Sequence, residues 1–381
     1  MTPSKVYYAD FRTTLTENLQ QKLWRLMDRA GMGEIDFDRK FAAIKLHFGE
    51  PGNLAFLRPN WAKTVADFVR AQGGKPFLTD CNTLYVGGRK NALDHIDSAY
   101  LNGFTPFSTG CHVIIADGLK GSDEVYVPVA GGEYVTEAKI GRAVMDADVF
   151  ISLTHFKGHE NTGFGGTLKN IGMGCGSRAG KMEMHNAGKP AVHQADCIGC
   201  GMCTRICAHS AITITDRKAS IDHAKCVGCG RCIAMCPRDA IAGTDDESNI
   251  VLNRKIAEYT KAVVDGRPCF HISLVLDVSP NCDCHAENDV PIVPNVGMFA
   301  SFDPIALDQA CADAVNAMPA NPSSLLGDLE EGHDHDLDDH EHFRCAHDHF
   351  RTAHPETNWQ SALEHGEKLG LGTRRYELIR I

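Results

Sequence analysis

The chain has 381 residues, of which 43% are hydrophobic and 23% charged, and this is enough for two or three domains with a sizeable core. Its 38 Lys and Arg residues are outnumbered by 49 Asp and Glu residues. The formal net charge of −11 argues against nucleic acid or an anionic membrane surface as the main partner. We see no signal-like start and no run of about eighteen apolar residues, so we expect a cytoplasmic protein without membrane insertion.

Strand and helix patterns alternate along much of the chain. A capping box at Thr14 and Glu17, followed by apolar residues at helical spacing, predicts a first helix that ends at Gly31. Further helices are predicted at 61–71, 91–101 and 248–264, after Asp303 and in the tail from 359, and strands at 6–9, 42–48, 76–79, 112–116, 149–151, 269–278 and 296–302. The alternation indicates an α/β fold, with a mostly parallel sheet covered by helices on both faces.

In such sheets, sites form where loops leave the carboxyl ends of the strands. Residues 80–82, which read Asp-Cys-Asn, leave one predicted strand, and 155–159 leave another. We therefore expect polar side chains from these two segments to meet.

The chain contains sixteen cysteines, and half of them form two identical runs. Each run has the spacing C-x2-C-x2-C-x3-C, which is the pattern of bacterial two-cluster ferredoxins, where each [4Fe–4S] cluster takes three cysteines from one run and the fourth from the other. One cluster would be held by Cys197, Cys200, Cys203 and Cys236, and the other by Cys226, Cys229, Cys232 and Cys207. Two structural zinc sites are the alternative.

The two runs also bear on domain organisation and compartment. Residues 194–247 are predicted to be an inserted α+β, bacterial ferredoxin-like domain that interrupts an α/β domain formed by 1–193 and 248–381. Disulfide-rich secreted scaffolds are far shorter than this chain, and half of its thiols belong to the two runs. We therefore expect a reducing compartment. A His- and Asp-rich stretch near 332–349 is predicted to be a loop. It is either a solvated acidic segment or a metal-storing one.

A glycine-rich stretch from 155 to 185 follows a predicted buried strand. Its glycines indicate close backbone turns, and its lysines add positive charge, which together resemble an anion cradle. The stretch lacks a Walker A pattern. We predict a functional loop, with a structural glycine-rich crossing as the alternative. Its candidate catalytic residues are Lys157, Lys169 and Lys181 for anion binding and His159 and His185 for proton exchange.

A second candidate segment is the turn Cys282-Asp283-Cys284-His285. Its two thiols and imidazole could ligate an additional metal, or Cys282 or Cys284 could act as a nucleophile or redox group. Two such ligands two residues apart cannot close a tetrahedral site. Further ligands would come from Cys81, Cys111, Cys175, His159 or His185. The lone cysteines Cys269, Cys311 and Cys345 are predicted to be structural.

Several segments resemble the DUF362 family of iron–sulfur centre proteins. They read KGHENTGFGGTLKN, SPNCDCH, GMFASFDPIALDQA, HPETNW and LGLGTRRYEL. The resemblance spans nearly the whole chain and implies a DUF362 domain carrying two [4Fe–4S] clusters, without specifying a reaction.

Two functions follow from these patterns. In the first, an oxidoreductase passes electrons from the clusters to an anionic substrate or second metal held between the glycine-rich stretch and Cys282. In the second, a non-enzymatic electron carrier docks a redox partner protein. A third hypothesis, metal handling, depends on the His-rich tract. No flavin or nicotinamide fingerprint is visible, and we expect a redox partner protein or a small anionic molecule as the partner.

Overall fold

The computed structural model describes residues 2–84, 87–185, 189–226, 228, 230–243, 249–333 and 348–381. Cys229, Cys345 and most of the predicted His-rich loop lie outside the described residues.

The strands of the described residues are β1 (Ser4–Ala9), β2 (Phe41–Lys45), β3 (Lys75–Asp80), β4 (Val113–Ile115), β5 (Glu124–Pro128), β6 (Glu137–Gly141), β7 (Val149–His155), β8 (Lys157–His159), β9 (Gly163–Gly165), β10 (Pro190–Val192), β11 (Ile212–Thr215), β12 (Lys218–Ile221), β13 (Ile241–Gly243), β14 (Cys269–Val275), β15 (Gly297–Ser301) and β16 (Tyr376–Arg380).

The helices are α1 (Leu19–Arg29), α2 (Pro59–Ala71), α3 (Ala92–Leu101), α4 (Pro106–Thr109), α5 (Arg142–Asp146), α6 (Thr167–Cys175), α7 (Arg178–His185), α8 (Met202–Ile206), α9 (Arg231–Met235), α10 (Asn249–Val264), α11 (Pro304–Asn316), α12 (Leu325–His333), α13 (His349–Ala353) and α14 (Gln360–Lys368). A short 3-10 turn covers Met32–Glu34.

An eight-stranded sheet forms the centre of the molecule, in the order β16-β1-β15-β14-β7-β2-β3-β4. Every neighbouring pair is parallel except the two that involve β15, which runs antiparallel to β1 and β14. The prediction of an α/β fold with a mostly parallel sheet is confirmed.

The sheet separates two hydrophobic cores. Along β7, Phe150 points into one core while Val149 and Ile151 point into the other, as the alternation of side chains along a strand requires. Helices α6, α10, α11 and α14 cover the first face, and α1 and α2 cover the second. Both faces are therefore closed to solvent, and polar side chains gather at the strand ends.

The first helix begins later than the sequence pattern predicted. The Thr14 hydroxyl accepts a hydrogen bond from the Glu17 amide (3.1 Å), but Leu15 is fully exposed and the chain there is not helical. The observed helix α1 has Asn18 as its N-cap, in a reciprocal capping box with Gln21. Two possible caps lie four residues apart, and only burial of the apolar face selects the second.

The glycine-rich stretch is also more regular than predicted. The structure resolves it into a hairpin of β8 and β9 followed by the two helices α6 and α7, so the predicted loop is wrong for most of its length. The following segment, which we call the cysteine-rich unit (residues 190–243), contains two small sheets, β10–β13 and β11–β12, and the helices α8 and α9.

Candidate functional site

A cavity of about 590 Å³, the central cavity, opens at the carboxyl ends of β2, β3 and β7. Lys45, Asp80 and His155 line it where these strands end. The remaining walls come from β8, α6, α7, α10 and the loop after β14. Parallel strands bring their ends to one edge, so residues distant in the chain meet here.

The structure brings all eight candidate catalytic residues to this cavity: Lys157, His159, Lys169, Lys181, His185, Cys282, Cys284 and His285. Cys81 also lines it, but Cys111 and Cys175, which were considered as further metal ligands, do not. Arg178, another cation of the glycine-rich stretch, is fully buried elsewhere, with its guanidinium donating to the carbonyl oxygens of Lys120 and Lys90.

The glycines of α6 serve close packing, and they do not form an anion cradle. A Cβ on Gly172 would lie 2.2 Å from the Ile256 carbonyl oxygen of α10, and one on Gly166 would lie 2.5 Å from the Asp308 carboxylate. That carboxylate accepts the first amides of the helix, from Thr167 (2.6 Å) and Leu168 (2.9 Å). The N-terminus of α6 is therefore already occupied by an anion from the protein itself.

A buried ion pair that the sequence analysis missed forms the floor of the central cavity. Lys45 Nζ lies 3.0 Å from Asp80 Oδ1 and donates to Asn170 Oδ1 at 2.9 Å. Burial alone would raise the pKa of Asp80, but the charge of Lys45, together with those of His95, His47 and Lys181, outweighs burial and holds the pKa below its usual value. A lysine at the end of the apolar run FAAIK was the available sequence signal.

The turn 282–285 is anchored by its aspartate. Asp283 is fully buried, with its carboxylate 2.8 Å from His155 Nδ1 and 3.2 Å from Lys157 Nζ. Burial would raise the pKa of Asp283, but the charges of His155 and Lys157 hold it low. These buried contacts fix the turn, and the two flanking thiols face the cavity.

Cys282 and Cys284 form a thiol pair with unequal surroundings. The hydrogen bond from Cys284 lowers the pKa of Cys282 well below its ordinary value, with further help from Lys169 and His159, and the same contact raises the pKa of Cys284. Lys169 Nζ donates to Cys282 Sγ at 3.3 Å. Cys282 is 2% exposed, so its charge is stabilised by these neighbours and hardly by water.

His159, Cys282 and Cys284 lie close enough to hold a metal, with one ligand atom of each within 4.8 Å of the others. A second such group consists of Glu160, Cys284 and His285. The predicted additional site at Cys282, Cys284 and His285 is thus divided between two groups that share Cys284.

The hydrogen bonds of His159 fix its tautomer. Its Nδ1 accepts from the backbone amides of Asn161 (3.0 Å) and Thr162 (3.2 Å), so the neutral ring carries its proton on Nε2. This nitrogen lies 3.7 Å from Glu160 Oε1, and the ring also contacts Cys282. A metal bound through Nε2 would have to displace that proton, whereas a thiolate would accept a hydrogen bond from it.

The cysteine-rich unit gathers its thiols around two small cavities. Cys197, Cys200, Cys203 and Cys236 line one of them, and Cys207, Cys226 and Cys232 line the other. Each set of described cysteines draws on both runs.

The backbone around these thiols repeats with the sequence. The helices α8 and α9 each begin after a left-handed glycine, Gly201 (φ 76°) and Gly230 (φ 64°), a conformation that glycine adopts without strain. The Ala211 amide donates to Cys207 Sγ at 3.3 Å, and the equivalent Ala240 amide donates to Cys236 Sγ at 3.2 Å. Backbone N–H groups aimed at sulfur are the contacts that tune iron–sulfur clusters.

Helix α7 is a wall shared by the central cavity and the cysteine-rich unit. Lys181 and His185, one turn apart, line the cavity, while the adjacent Met182 packs into the hydrophobic core of the unit. Leu84 belongs to both, because it lines the cavity and packs into the same core. The two regions are therefore in direct contact through these side chains.

Comparison with known proteins places these residues in a family. The family model for DUF362, a domain of unknown function, matches residues 42–313, which is well over half of the chain. The chain belongs to the DUF362 family. The DUF362 match contains all eight cavity residues predicted from the sequence and the whole cysteine-rich unit.

Individual relatives are more distant. The chain is 29% identical over 148 residues to the Thylakoid-associated protein sll1697 of Synechocystis sp., and the match covers 37% of this chain and 40% of that protein. A Thermotoga maritima protein of known crystal structure has a TM-score of 0.38 and 13% identity, covering 70% of this chain and 51% of its own.

The lactate racemase apoprotein from Thermoanaerobacterium thermosaccharolyticum has a TM-score of 0.36 and 10% identity, covering 72% of this chain and 51% of its own.

Among the described residues of this DUF362 protein, no helix is long and apolar enough to span a membrane.

Proposed function

We propose that this DUF362 protein is an iron–sulfur redox enzyme in which two [4Fe–4S] clusters supply electrons to an anionic substrate in the central cavity. The observation that carries the proposal is the shared wall, since Met182 of α7 packs into the cysteine-rich unit while Lys181 of the same helix lines the cavity. A redox unit in contact with a polar cavity is suited to deliver electrons into it.

The residues of the cysteine-rich unit fit the clusters. Cys197, Cys200, Cys203 and Cys236 would hold one cluster, and Cys207, Cys226 and Cys232 the other together with Cys229, which lies outside the described residues. The amides that face Cys207 and Cys236 would stabilise anionic sulfur. Such clusters exchange single electrons. On this proposal, residues 194–247 are a ferredoxin-like insert in the α/β domain.

The charges of the central cavity favour an anionic substrate. Lys181 is 7% exposed and donates to the carbonyl oxygens of Gly174 (3.4 Å) and Gly176 (2.6 Å). Within the described part of the chain, no carboxylate lies within salt-bridge distance of it. Lys157, in contrast, is paired with Asp283. Asp80 and Asp117 act on Lys181 only from a longer distance, so Lys181 is one cavity cation whose charge no direct ion pair with a described residue occupies.

The alternative is an electron carrier that docks a redox partner protein. A closed apolar packing between the glycine-rich stretch and Cys282 would favour a carrier, and the open cavity found there, into which several lysine and histidine side chains project, favours the enzyme. We propose a cytoplasmic location and no nucleic-acid partner. The thylakoid association in the name of the Synechocystis relative concerns a match to only 37% of this chain.

Anaerobic reconstitution tests the clusters. We expect about eight irons per chain and a [4Fe–4S] signal in electron paramagnetic resonance after reduction. Cys203→Ser and Cys232→Ser should each lose iron, whereas the matched control Cys111→Ser, a buried cysteine outside both cavities, should keep the full content. Zinc in place of iron would contradict the proposal.

Stopped-flow oxidation of the reduced protein tests the enzyme against the carrier. Small anionic electron acceptors should oxidise the reduced clusters, and Lys181→Met should slow this at least tenfold without changing the iron content. Equal rates for the variant and the original protein with every acceptor would favour the carrier.

A further inference from the structure

The two thiols in the central cavity are placed so that they can form a disulfide with each other. Cys282 and Cys284 are separated by one residue, and their Sγ atoms are within 4.8 Å of each other. A disulfide requires sulfurs about 2 Å apart, and side-chain rotation within so short a turn can bring them there. Asp283 holds the turn through His155 and Lys157, so closing the pair leaves its anchor in place.

The surroundings of Cys282 suit the attacking sulfur of such a pair, because they contain hydrogen-bond donors. Lys169 Nζ donates to it at 3.3 Å, and the His159 ring, with its proton on Nε2, contacts it from another side. These donors stabilise negative charge on Cys282 before its attack and again after the protein disulfide has been reduced. Cys284 stands beside it as the resolving thiol.

The group of His159, Cys282 and Cys284 is poorly suited to a metal. Of the three groups that could ligate one ion, His159 presents an N–H, because its Nδ1 already accepts from two backbone amides. Lys169 brings a positive charge to within 3.3 Å of Cys282 Sγ, which would oppose a bound cation. A dithiol uses both features, and a metal site works against both.

We propose that Cys282 and Cys284 are a redox-active dithiol that reduces a small anionic disulfide in the central cavity. Dithiols exchange with disulfides, the cavity of about 590 Å³ admits a small ligand, and Lys181 supplies the charge that selects an anion. This deepens the proposed function, because it names the acceptor of the electrons that the cysteine-rich unit carries.

The cycle has two balanced halves. In the first, the Cys282 thiolate attacks one sulfur of the substrate disulfide and releases one thiolate. Cys284 then loses its proton to the released group and displaces the second substrate thiolate, which closes the Cys282–Cys284 disulfide. In the second, the protein disulfide takes up two electrons and one proton, giving the Cys282 thiolate and the Cys284 thiol; the two clusters of the proposed function would supply these electrons, one from each. This second half rests on the proposed function, and the first half does not.

Thiol trapping tests the first half. The anaerobically reduced protein is treated with oxidised glutathione, a small anionic disulfide, then alkylated and digested for mass spectrometry. We expect the peptide containing Cys282 and Cys284 to lose both alkylation sites and to be lighter by two hydrogens. Cys284→Ser should instead retain glutathione on Cys282, and the control Cys111→Ser should behave like the original chain.

Charge selection is tested with an uncharged probe. Hydroxyethyl disulfide should oxidise the pair at least tenfold more slowly than oxidised glutathione, and Lys181→Met should remove most of that difference. If Cys282 and Cys284 stay alkylatable with both probes, or if purified protein carries a metal that Cys282→Ser removes, the inference is overturned.

Re-reduction separates this inference from the proposed function. A one-electron donor such as reduced methyl viologen should reopen the disulfide at least tenfold faster in the reconstituted protein than in the Cys203→Ser variant. Disulfide formation with equal re-reduction in both would leave the dithiol standing and count against electron delivery by the unit. A full iron content without any disulfide would leave the clusters standing and overturn the dithiol.

Discussion

The two sulfur-rich regions of this protein surround their thiols in different ways. In the cysteine-rich unit, backbone amides face the sulfurs, as the Ala211 and Ala240 amides face Cys207 and Cys236. In the central cavity, side chains face the sulfur, as Lys169 and Cys284 face Cys282. Amides can serve any sulfur that a turn presents to them, whereas a cation beside one thiol makes that thiol different from its neighbour.

The regions also differ in how they are held together. The core of the cysteine-rich unit is small, and two of its buried members, Leu84 and Met182, belong to the surrounding α/β domain. The central cavity is instead bordered by the large core on one face of the sheet. A small unit of this kind needs bound metal or a neighbouring surface for its stability, and the larger domain does not. This difference can be tested directly.

On the proposal that the cysteine-rich unit binds two clusters, the largest expected effect is on this unit after iron removal. Chelation under mild oxidation should abolish hydrogen-exchange protection across residues 190–243 while β2, β3 and β7 stay protected, because the small core cannot fold the unit alone. Hydrogen exchange followed by mass spectrometry measures both regions together. Loss of protection in the central sheet to the same extent would show that the regions are one cooperative unit.

The next effect concerns the floor of the central cavity. Lys45→Met should lower the free energy of unfolding by about 3–5 kcal/mol, because it leaves the Asp80 carboxylate buried without its cation. Urea denaturation measures the change. Lys63→Met is the matched control: its pair with Asp67 is exposed, and we expect a change of about 0.5 kcal/mol. Equal effects of the two substitutions would contradict the prediction.

A smaller effect is expected at the wall between the regions. Met182→Ala should lower the stability of the cysteine-rich unit by about 2–3 kcal/mol, since Met182 is fully buried in its core. Limited proteolysis should then cut the unit before the sheet. Thr213→Ala, at an exposed position of β11 in the same unit, serves as the control, and similar proteolysis of the two variants would argue against docking through Met182.

The smallest effect depends on pH. Burial raises the pKa of Asp117, which lies near Lys181, to about 6. Because the folded-state pKa lies above that of the unfolded chain, the folded protein binds the proton more tightly, and this contribution to stability is lost as the pH rises from about 4 to 6.

The Asp117→Asn variant has no ionisable carboxyl at this position, so its stability should not show the decrease between pH 4 and 6. The free energy of unfolding of the variant, relative to that of the original chain, should therefore rise by about 2 kcal/mol between pH 4 and 6. Urea titrations at both pH values measure it. A relative stability that does not change with pH would mean that the Asp117 carboxyl titrates normally.

The sequence alone predicted more about the cysteine-rich unit than about the central cavity. The doubled cysteine spacing predicted the sets of thiols: local turns place three members of a run together, and the fourth comes from the other run through tertiary packing. The α/β class and the approximate strands also followed from apolar runs. The start of α1 was misplaced, since Thr14 and Asn18 offer equivalent local caps and only packing distinguishes them.

The sequence analysis expected residues 80–82 to meet 155–159 and the glycine-rich stretch to lie near Cys282, and what only the tertiary structure decided is how the central cavity closes, including the Lys45–Asp80 pair. Lys45, Asp80, Lys169 and Cys282 come from segments that no local pattern connects, and they meet because parallel strands end at one edge. The function of the glycines in α6, the proton on Nε2 of His159 and the two-sided position of α7 likewise depend on neighbours far away in the chain. Sequence spacing fixes contacts within a turn, and folding determines those between turns, since long-range packing brings distant side chains together.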